Sequence, residues 1–237
     1  ILQHEILTEN ETYKDIIQED FLDTYFNLTI KSIMMLKWYT THCKQARFLL
    51  KTDDDIFLRL ATITKSLSQS LTSGMNHETL LGGSLIRDAA PVADSKDKWF
   101  MPSYMYPGDT YPNYLSGTCY LMSHQVAVRL YSASMKVRII HMEDIYLTGI
   151  CAQVAGIKPI SLVGFTFKHM VSLTCGSFYI MSHRVTPDEM VDLWKTNSPC
   201  SNTSEESIFL EENGLLRRTE IKLLNVAYNL KTFLLWR

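Results

Sequence analysis

The chain has 237 residues, of which 46% are hydrophobic, and a formal net charge of −2. This length is enough for one sizeable α/β domain with its own core, or for two small domains. The near-neutral charge gives no electrostatic basis for binding nucleic acid. No uncharged apolar stretch reaches roughly 18 residues, the length of a membrane helix. The chain begins at Ile1 without a signal-peptide pattern, and we expect it to be a fragment of a longer protein.

The first half of the chain predicts alternating helices and strands. Apolar residues at spacings of three and four predict an amphipathic helix from Leu22 to His42. The short apolar run ARFLLKT, residues 46–52, predicts a buried strand, and a helical pattern follows from Phe57 to Ser70. The run from Leu80 to Ile86 predicts a second strand, in which the glycine pair ending at Gly83 permits close backbone approach.

The second half begins with a long loop from Asp88 to Pro112, a length that indicates a functional loop. A strand from Gly117 to Ser123 and a helix over residues 124–135 are predicted next. A further helix is predicted from Asp144 to Ala155. The last one begins at Thr186 with a capping-box pattern and runs to about Lys195.

Cysteines and glycosylation sequons together favour a secretory compartment. The cysteines are widely spaced and form no C-x-x-C pair, which argues against a zinc knuckle. They fit either scattered core thiols or two disulfides with one free thiol. The five cysteines are Cys43, Cys119, Cys151, Cys175 and Cys200, and the three sequons begin at Asn10, Asn27 and Asn202.

Three consecutive aspartates, Asp53, Asp54 and Asp55, follow the first predicted strand. Adjacent carboxylates repel one another unless a cation offsets the repulsion. In open α/β sheets, ligands bind outside the carboxyl ends of the strands. A hard divalent ion that also holds substrate phosphates would fit this position. The alternative interpretation is a solvated acidic turn.

Four stretches of the chain carry a combined pattern. In their order and spacing they resemble the β-1,3-glycosyltransferases, the family that includes galactosyl-, N-acetylglucosaminyl- and Fringe-type transferases. The resemblance covers most of the region from Glu5 to Cys200. The four stretches are YKDIIQEDFLDTYFNLTIKSIMMLKW (Tyr13–Trp38), FLLKTDDDIF (Phe48–Phe57), KWFMPSYMYPGDTYPNYLSGTCYLMS (Lys98–Ser123) and HMEDIYLTGIC (His141–Cys151).

The resemblance implies a GT-A type nucleotide-sugar transferase fold, an α/β sandwich with a mostly parallel central sheet flanked by helices. The family's first nucleotide-binding strand precedes the region where this chain begins, so we expect that strand to be missing. Residues 1–200 would then form the catalytic domain with an incomplete N-terminus. Residues 201–237 would form a C-terminal extension, which we expect to be helical.

The resemblance also implies a Mn²⁺ site. The aspartate triplet matches the family's D-x-D element, with Asp55 as the first candidate for direct coordination, Asp53 as the second and Asp54 in support. His183 matches the family's histidine ligand, and His169 is the competing candidate. An imidazole together with carboxylates suits Mn²⁺ better than Ca²⁺.

Inversion at the sugar carbon requires a base that takes the proton of the acceptor hydroxyl. The family's E-D element matches Glu143 and Asp144, and Asp144 is the predicted base. From the residues alone, an acidic first turn of a helix is an equally simple interpretation.

Further residues are predicted to shape the sugar-nucleotide and acceptor pocket. Tyrosine faces pack on sugar C–H groups, and glycines let the backbone approach a ligand closely. For Trp99, packing against other aromatic residues is the alternative interpretation. The predicted residues are Tyr111, Pro112, Tyr114, Ser116, Gly117, Gly83 and Trp99.

For the cysteines, the resemblance implies disulfides between Cys151 and Cys175 and between Cys43 and Cys200. Cys119 would remain a free, buried thiol.

The function implied is a Mn²⁺-dependent hexosyltransferase, which moves galactose from UDP-galactose to a hydroxyl of a glycan acceptor on protein or lipid. We expect a lumenal domain of a Golgi membrane protein, with its membrane anchor in the missing N-terminal part. A β-1,3-N-acetylglucosaminyltransferase and a non-catalytic, sugar-binding or assembly relative remain alternatives. A metal-dependent hydrolase would need more histidine ligands than the chain arranges.

Overall fold

The computed structural model describes residues 2–72, 77–170, 173, 177–197 and 235–236. Its helices are α1 (Leu2–Tyr13), α2 (Leu28–His42), α3 (Leu60–Thr72), α4 (His124–Ser134), α5 (Ala152–Val154) and α6 (Pro187–Asn197), with a 3₁₀ turn at Tyr25–Asn27 and a π-helix at Ile145–Cys151. Its strands are β1 (Phe48–Thr52), β2 (Phe57–Leu58), β3 (Leu81–Ile86), β4 (Tyr114–Ser123), β5 (Ile160–Ser161), β6 (Met181–Ser182) and β7 (Leu235–Trp236).

The main sheet has the strand order β5-β3-β4-β1-β7. Its central strand, β4, is antiparallel to both β1 and β3. The pairs β3–β5 and β1–β7 are parallel. The sheet is therefore mixed, and the expectation of a mostly parallel sheet is wrong. The reason is the connection from β3 to β4, which contains no crossover helix and returns the chain antiparallel to β3.

Both faces of this sheet are buried. In β1, Leu49 packs into one core cluster, whereas Phe48 and Leu50 pack into another. In β4, Tyr120 packs into the first cluster and Cys119 into the second. This alternation is expected from the two-residue period of a strand. Helices α2 and α4 cover the first face, and α3 covers the second. A strand buried on both faces is continuously apolar, which is why the ARFLLKT run indicated a strand.

Most of the predicted elements are confirmed, with shifted ends. The helix predicted from Leu22 begins instead at Leu28, after the 3₁₀ turn. The helical pattern from Phe57 is preceded by strand β2, because Phe57 and Leu58 pair with β6. Helix α1 was not predicted, and none of its residues is buried. The capping box of α6 is present, since Glu189 N–H donates to Thr186 Oγ1 at 3.3 Å and Thr186 N–H donates to Glu189 Oε2 at 2.8 Å.

Two expectations concern the end of the chain and the membrane. Of residues 201–237, only Leu235–Trp236 are described, and they form strand β7 beside β1. The helix predicted in this extension otherwise lies outside the described residues. Over the described part of the chain, no helix combines the length and apolarity needed to cross a bilayer.

The cysteines are partly as expected. Cys119 is a free, buried thiol, and burial raises its pKa to about 12. Cys43 and Cys151 are free as well, so the two expected disulfides are not formed. Cys151 is fully buried in the core beside Tyr146, and this burial raises the pKa of its thiol to about 11. The expected partners, Cys175 and Cys200, lie outside the described residues.

Candidate active site

The aspartate triplet forms a turn directly after β1, at the carboxyl end of that strand. The N–H of Asp53 donates to the carbonyl of Thr118 in β4 at 3.1 Å. The carbonyl of Asp55 accepts from the N–H of Val185 at 2.9 Å, which fixes the turn to the segment after β6. Asp53 and Asp54 are exposed and Asp55 is half-buried. The turn therefore joins the main sheet to the small β2–β6 sheet.

Pairing of β2 with β6 brings His183 to Asp55. Phe57 pairs with Ser182, and His183 Nε2 lies 3.4 Å from Asp55 Oδ2. The other ring nitrogen, Nδ1, is 2.9 Å from the carbonyl of Phe167. Because a carbonyl only accepts, Nδ1 carries a proton, and a neutral ring then presents an Nε2 lone pair towards Asp55. Metal-binding histidines are typically oriented in this way by a bond from their second nitrogen.

Asp53 is not part of this pair. Its Oδ1 lies 2.5 Å from the ammonium of Lys51. Among the described residues, no three His, Cys, Asp or Glu side chains are grouped so that they could hold one metal ion. The competing histidine, His169, lies 3.6 Å from Glu189 of α6 instead. The donor set that fits a divalent cation is thus Asp55 with His183, and the other positions would be left to water and phosphate oxygens.

Asp144 lies where the chain enters the π-helix. Its Oδ1 accepts from the N–H of Ile145 at 2.9 Å, and its Oδ2 accepts from the N–H of Gly117 at 3.1 Å. Burial, and then the charge of Glu143, raise the pKa of Asp144 from 3.8 to about 6. The two N–H bonds and the charge of Lys51 oppose this rise. The carboxylate of Asp144 is therefore fixed by two backbone N–H groups and has a pKa of about 6, below neutral pH.

Other titratable groups also face Asp144. Burial raises the pKa of three tyrosines, Tyr25, Tyr111 and Tyr114, and the charge of Asp144 adds to each rise. The pKa of Tyr111 is raised to about 12. These phenols stay protonated at neutral pH, so they can donate hydrogen bonds at the site.

Glu143 points into the protein rather than towards solvent. It is 7% exposed, and its Oε1 accepts from the hydroxyl of Tyr120 at 2.6 Å. Burial acts to lower the pKa of Lys51, but the charges of Glu143 and Asp53 outweigh it and raise that pKa. Glu143 is therefore a buried counter-charge to Lys51, whereas Asp144 is a half-buried carboxylate held by two backbone N–H groups.

Lys51 is a site residue that the sequence interpretation missed. Besides Asp53, its ammonium donates to the carbonyl of Gly117, and it lies 5.8 Å from the centroid of the Tyr120 ring. Its side chain is only 13% exposed. The period of a strand could have indicated it, because residues 51 and 53 fall on one face.

The two predicted glycines occupy tight positions for different reasons. A Cβ on Gly117 would lie 3.3 Å from Asp144 Cβ and 3.4 Å from its Oδ2, so this glycine lets β4 approach the candidate base. A Cβ on Gly83 would lie 2.9 Å from the carbonyl oxygen of Cys119. Gly83 is buried in β3 opposite Tyr120, so its role is in strand packing.

The segment formed by residues 111–114 packs against the π-helix that follows Asp144. A Cβ on Gly149 would lie 3.1 Å from Tyr114 Cβ and 3.5 Å from Pro112 Cγ. Tyr111 is 7% exposed, and its ring centroid is 6.3 Å from that of Tyr114. Ser116 is also buried, with Oγ 3.1 Å from Thr118 Oγ1. The segment therefore packs against the π-helix that begins after Asp144, and its two tyrosines lie near that carboxylate.

Trp99 and Tyr25 form an exposed aromatic pair. The indole N–H of Trp99 donates to the hydroxyl of Tyr25 at 3.0 Å. Trp99 is 44% exposed and Tyr25 43% exposed, and the ammonium of Lys98 lies 4.8 Å and 5.5 Å from the two ring centroids. The nearby charges of Asp144 and Asp53 contribute to the raised pKa of Tyr25. Trp99 thus contacts Tyr25, which lies near the acidic side chains and is a second residue that the sequence interpretation missed.

Comparison with known proteins identifies the family of this chain. A family model described as galactosyltransferase matches residues 1–163. β-1,3-Galactosyltransferase 2 of Homo sapiens is 36% identical over 215 residues, which cover 86% of this chain and 50% of that protein. β-1,3-Galactosyltransferase 1 of Mus musculus is 34% identical over 199 residues, which cover 84% of this chain and 60% of that protein. The chain thus spans about half to three-fifths of the length of these relatives. With a match over more than half of its residues, the chain belongs to the galactosyltransferase family.

Proposed function

We propose that this chain carries catalytic residues of an inverting β-1,3-galactosyltransferase, which moves galactose from UDP-galactose to a hydroxyl of a glycan acceptor on protein or lipid. The proposal depends most on Asp144, a carboxylate with a pKa of about 6 that two backbone N–H groups hold in place. The names of the relatives support the reaction type.

In this reaction Asp144 would act as the general base. Each carboxylate oxygen accepts one backbone N–H bond and keeps further lone-pair capacity for an acceptor hydroxyl. A pKa of about 6 leaves the carboxylate mostly ionised at neutral pH, yet makes it a stronger base than an ordinary aspartate. Asp144 would take the proton of the hydroxyl as the new glycosidic bond forms.

Asp55 and His183 would hold Mn²⁺ through Oδ2 and Nε2, which lie 3.4 Å apart. When bound, the cation supplies a Lewis acid for the leaving diphosphate. The Nδ1 contact with Phe167 would keep the imidazole in the tautomer that binds metal. Asp53 is paired with Lys51 instead and would not be one of the two protein ligands.

The remaining features of the proposal concern fold and location. We propose a GT-A type arrangement around the mixed sheet, with UDP-galactose bound near the carboxyl end of β1. Trp99 and Tyr25 would form a wall against which sugar rings pack. The whole protein would act in the Golgi lumen, as an enzyme anchored in the membrane.

The test is a transfer assay on the full-length protein. UDP release is measured from UDP-galactose and from UDP-N-acetylglucosamine, with Mn²⁺, in the presence and absence of a β-linked sugar acceptor. We expect acceptor-dependent release from UDP-galactose, and its loss in Asp144→Asn. The matched control is Asp192→Asn, because Asp192 is an exposed residue of α6. Preference for UDP-N-acetylglucosamine would show that this nucleotide sugar, rather than UDP-galactose, is the donor. Absence of transfer from either donor would contradict the proposed function.

A further inference from the structure

Thr148 has a hydroxyl that connects two elements of the candidate site. The side chain is 0% exposed and lies within the π-helix. Its Oγ1 donates to the carbonyl of Asp144 at 2.7 Å and accepts from the N–H of Leu115 at 2.8 Å. One hydroxyl thus links the backbone of the candidate base to strand β4.

The same strand holds the carboxylate of Asp144. Gly117, two residues after Leu115 in β4, donates its N–H to Asp144 Oδ2. The main chain and the side chain of Asp144 are therefore fixed to one strand at two neighbouring points. Gly149 allows this closeness, because a Cβ there would lie 3.1 Å from Tyr114 Cβ.

The connection lies within a π-helix. In an ordinary α-helix the backbone N–H groups bond to carbonyls four residues earlier, whereas a π-helix widens the turn and is frequent at functional sites. Here the carbonyl of Asp144, four residues before Thr148, accepts a bond from the threonine hydroxyl. The π-helix begins directly after Asp144, so the widened turns lie where the carboxylate must be aimed.

We propose that Thr148 is a positioning residue, whose hydroxyl fixes the Asp144 turn against β4 and thereby sets where the Asp144 carboxylate points. The link to sugar transfer rests on the proposed function. The geometric part of the proposal is independent of that function, because it concerns only the hydrogen bond between Gly117 and Asp144.

The experiment compares Thr148→Val with Thr148→Ser in the full-length protein. Valine keeps the shape of threonine but removes both hydrogen bonds, whereas serine keeps the hydroxyl. The matched control is Thr29→Val. Thr29 is 1% exposed, and its hydroxyl donates to the carbonyl of Ile140 at 2.8 Å. The control therefore removes a buried hydroxyl that does not touch Asp144.

In Thr148→Val we expect kcat for transfer to fall between about tenfold and a hundredfold, the range typical of a displaced catalytic group. The KM for UDP-galactose should stay within about twofold, because the donor-side residues are untouched. Thr148→Ser should restore most of kcat. Thr29→Val should lower the melting temperature without lowering kcat of the folded enzyme.

A second measurement does not require turnover. Carbon-13 NMR of aspartate-labelled protein follows the titration of Asp144, and its resonance is identified by its absence in Asp144→Asn. The bond from Gly117 lowers the pKa of Asp144, so weakening it in Thr148→Val should move the titration to higher pH. If wild-type protein transferred no sugar, the proposed function would fail and this titration alone would decide the positioning role. An unchanged titration in folded Thr148→Val, or equal kcat in the valine and serine variants, would overturn the proposal.

Discussion

The backbone of Gly117 holds Asp144 through its N–H group, at 3.1 Å from Oδ2. The carbonyl of the same residue accepts from Lys51, whose ammonium also binds Asp53. Gly117 therefore connects the candidate base to the aspartate turn.

Replacing Gly117 by alanine should displace the candidate base. The added Cβ would lie 3.3 Å from Asp144 Cβ, which is closer than ordinary van der Waals contact. We expect kcat to fall by about tenfold or more, since small misplacements of a catalytic group are costly. Steady-state kinetics and a thermal melt of the same preparation would check this. A variant with full kcat would show that Asp144 does not require this close approach.

The transfer rate should depend on pH through Asp144. Its pKa is raised to about 6, and the base must be deprotonated to accept a proton. The rate should therefore be maximal above pH 6 and fall as pH decreases through that value. A pH profile of kcat/KM from about pH 4 to about pH 8 measures this dependence, because kcat/KM reports the titrating groups of the free enzyme. Thermal melts over the same range confirm that the protein stays folded. An acid limb near pH 4, the ordinary range of an aspartate, would contradict the assignment.

The metal assignment predicts different effects at two histidines. His183→Ala should raise the Mn²⁺ concentration needed for half-maximal activity by at least about tenfold, because a direct ligand is lost. His169→Ala is the matched control, since His169 lies beside Glu189 rather than Asp55. Titration of activity with Mn²⁺ distinguishes the two variants. A large effect at His169 with none at His183 would reverse the assignment.

Removal of Lys51 should change the pH profile. The charge of Lys51 lowers the pKa of Asp144, so Lys51→Met should shift the acid limb of kcat/KM to higher pH. The variant should also be less stable, because Glu143 loses the nearby positive charge while it remains buried.

Lys98→Met is a suitable control for Lys51→Met. Lys98 packs over exposed aromatic rings, and it is not among the groups that shift the pKa of Asp144. The acid limb should therefore stay in place in this variant. An acid limb at the same pH in wild type and in Lys51→Met would show that the Lys51 ammonium does not influence Asp144.

Some features of this protein follow from its sequence alone. The buried strand β1 and the position of the three aspartates directly after it were predicted, because a short apolar run ending in charge is a local pattern. The capping box at Thr186 was predicted for the same reason, since its partners lie three residues apart. The resemblance also selected Glu143 and Asp144, with Asp144 as the predicted base. The structure adds that the two carboxylates differ in burial and hydrogen bonding.

Other features were decided only by tertiary structure, because they depend on contacts between distant parts of the chain. The antiparallel direction of β4 brings the Gly117 N–H to Asp144, 27 residues later. The pairing of β2 with β6 selects Asp55 rather than Asp53 as the neighbour of His183. The π-helix also could not be read from periodicity, since its widening accompanies the bond from Thr148 to Asp144 and the packing of Gly149 on Tyr114. The sequence determined which acidic side chains are available, whereas strand direction and register determined which of them meet.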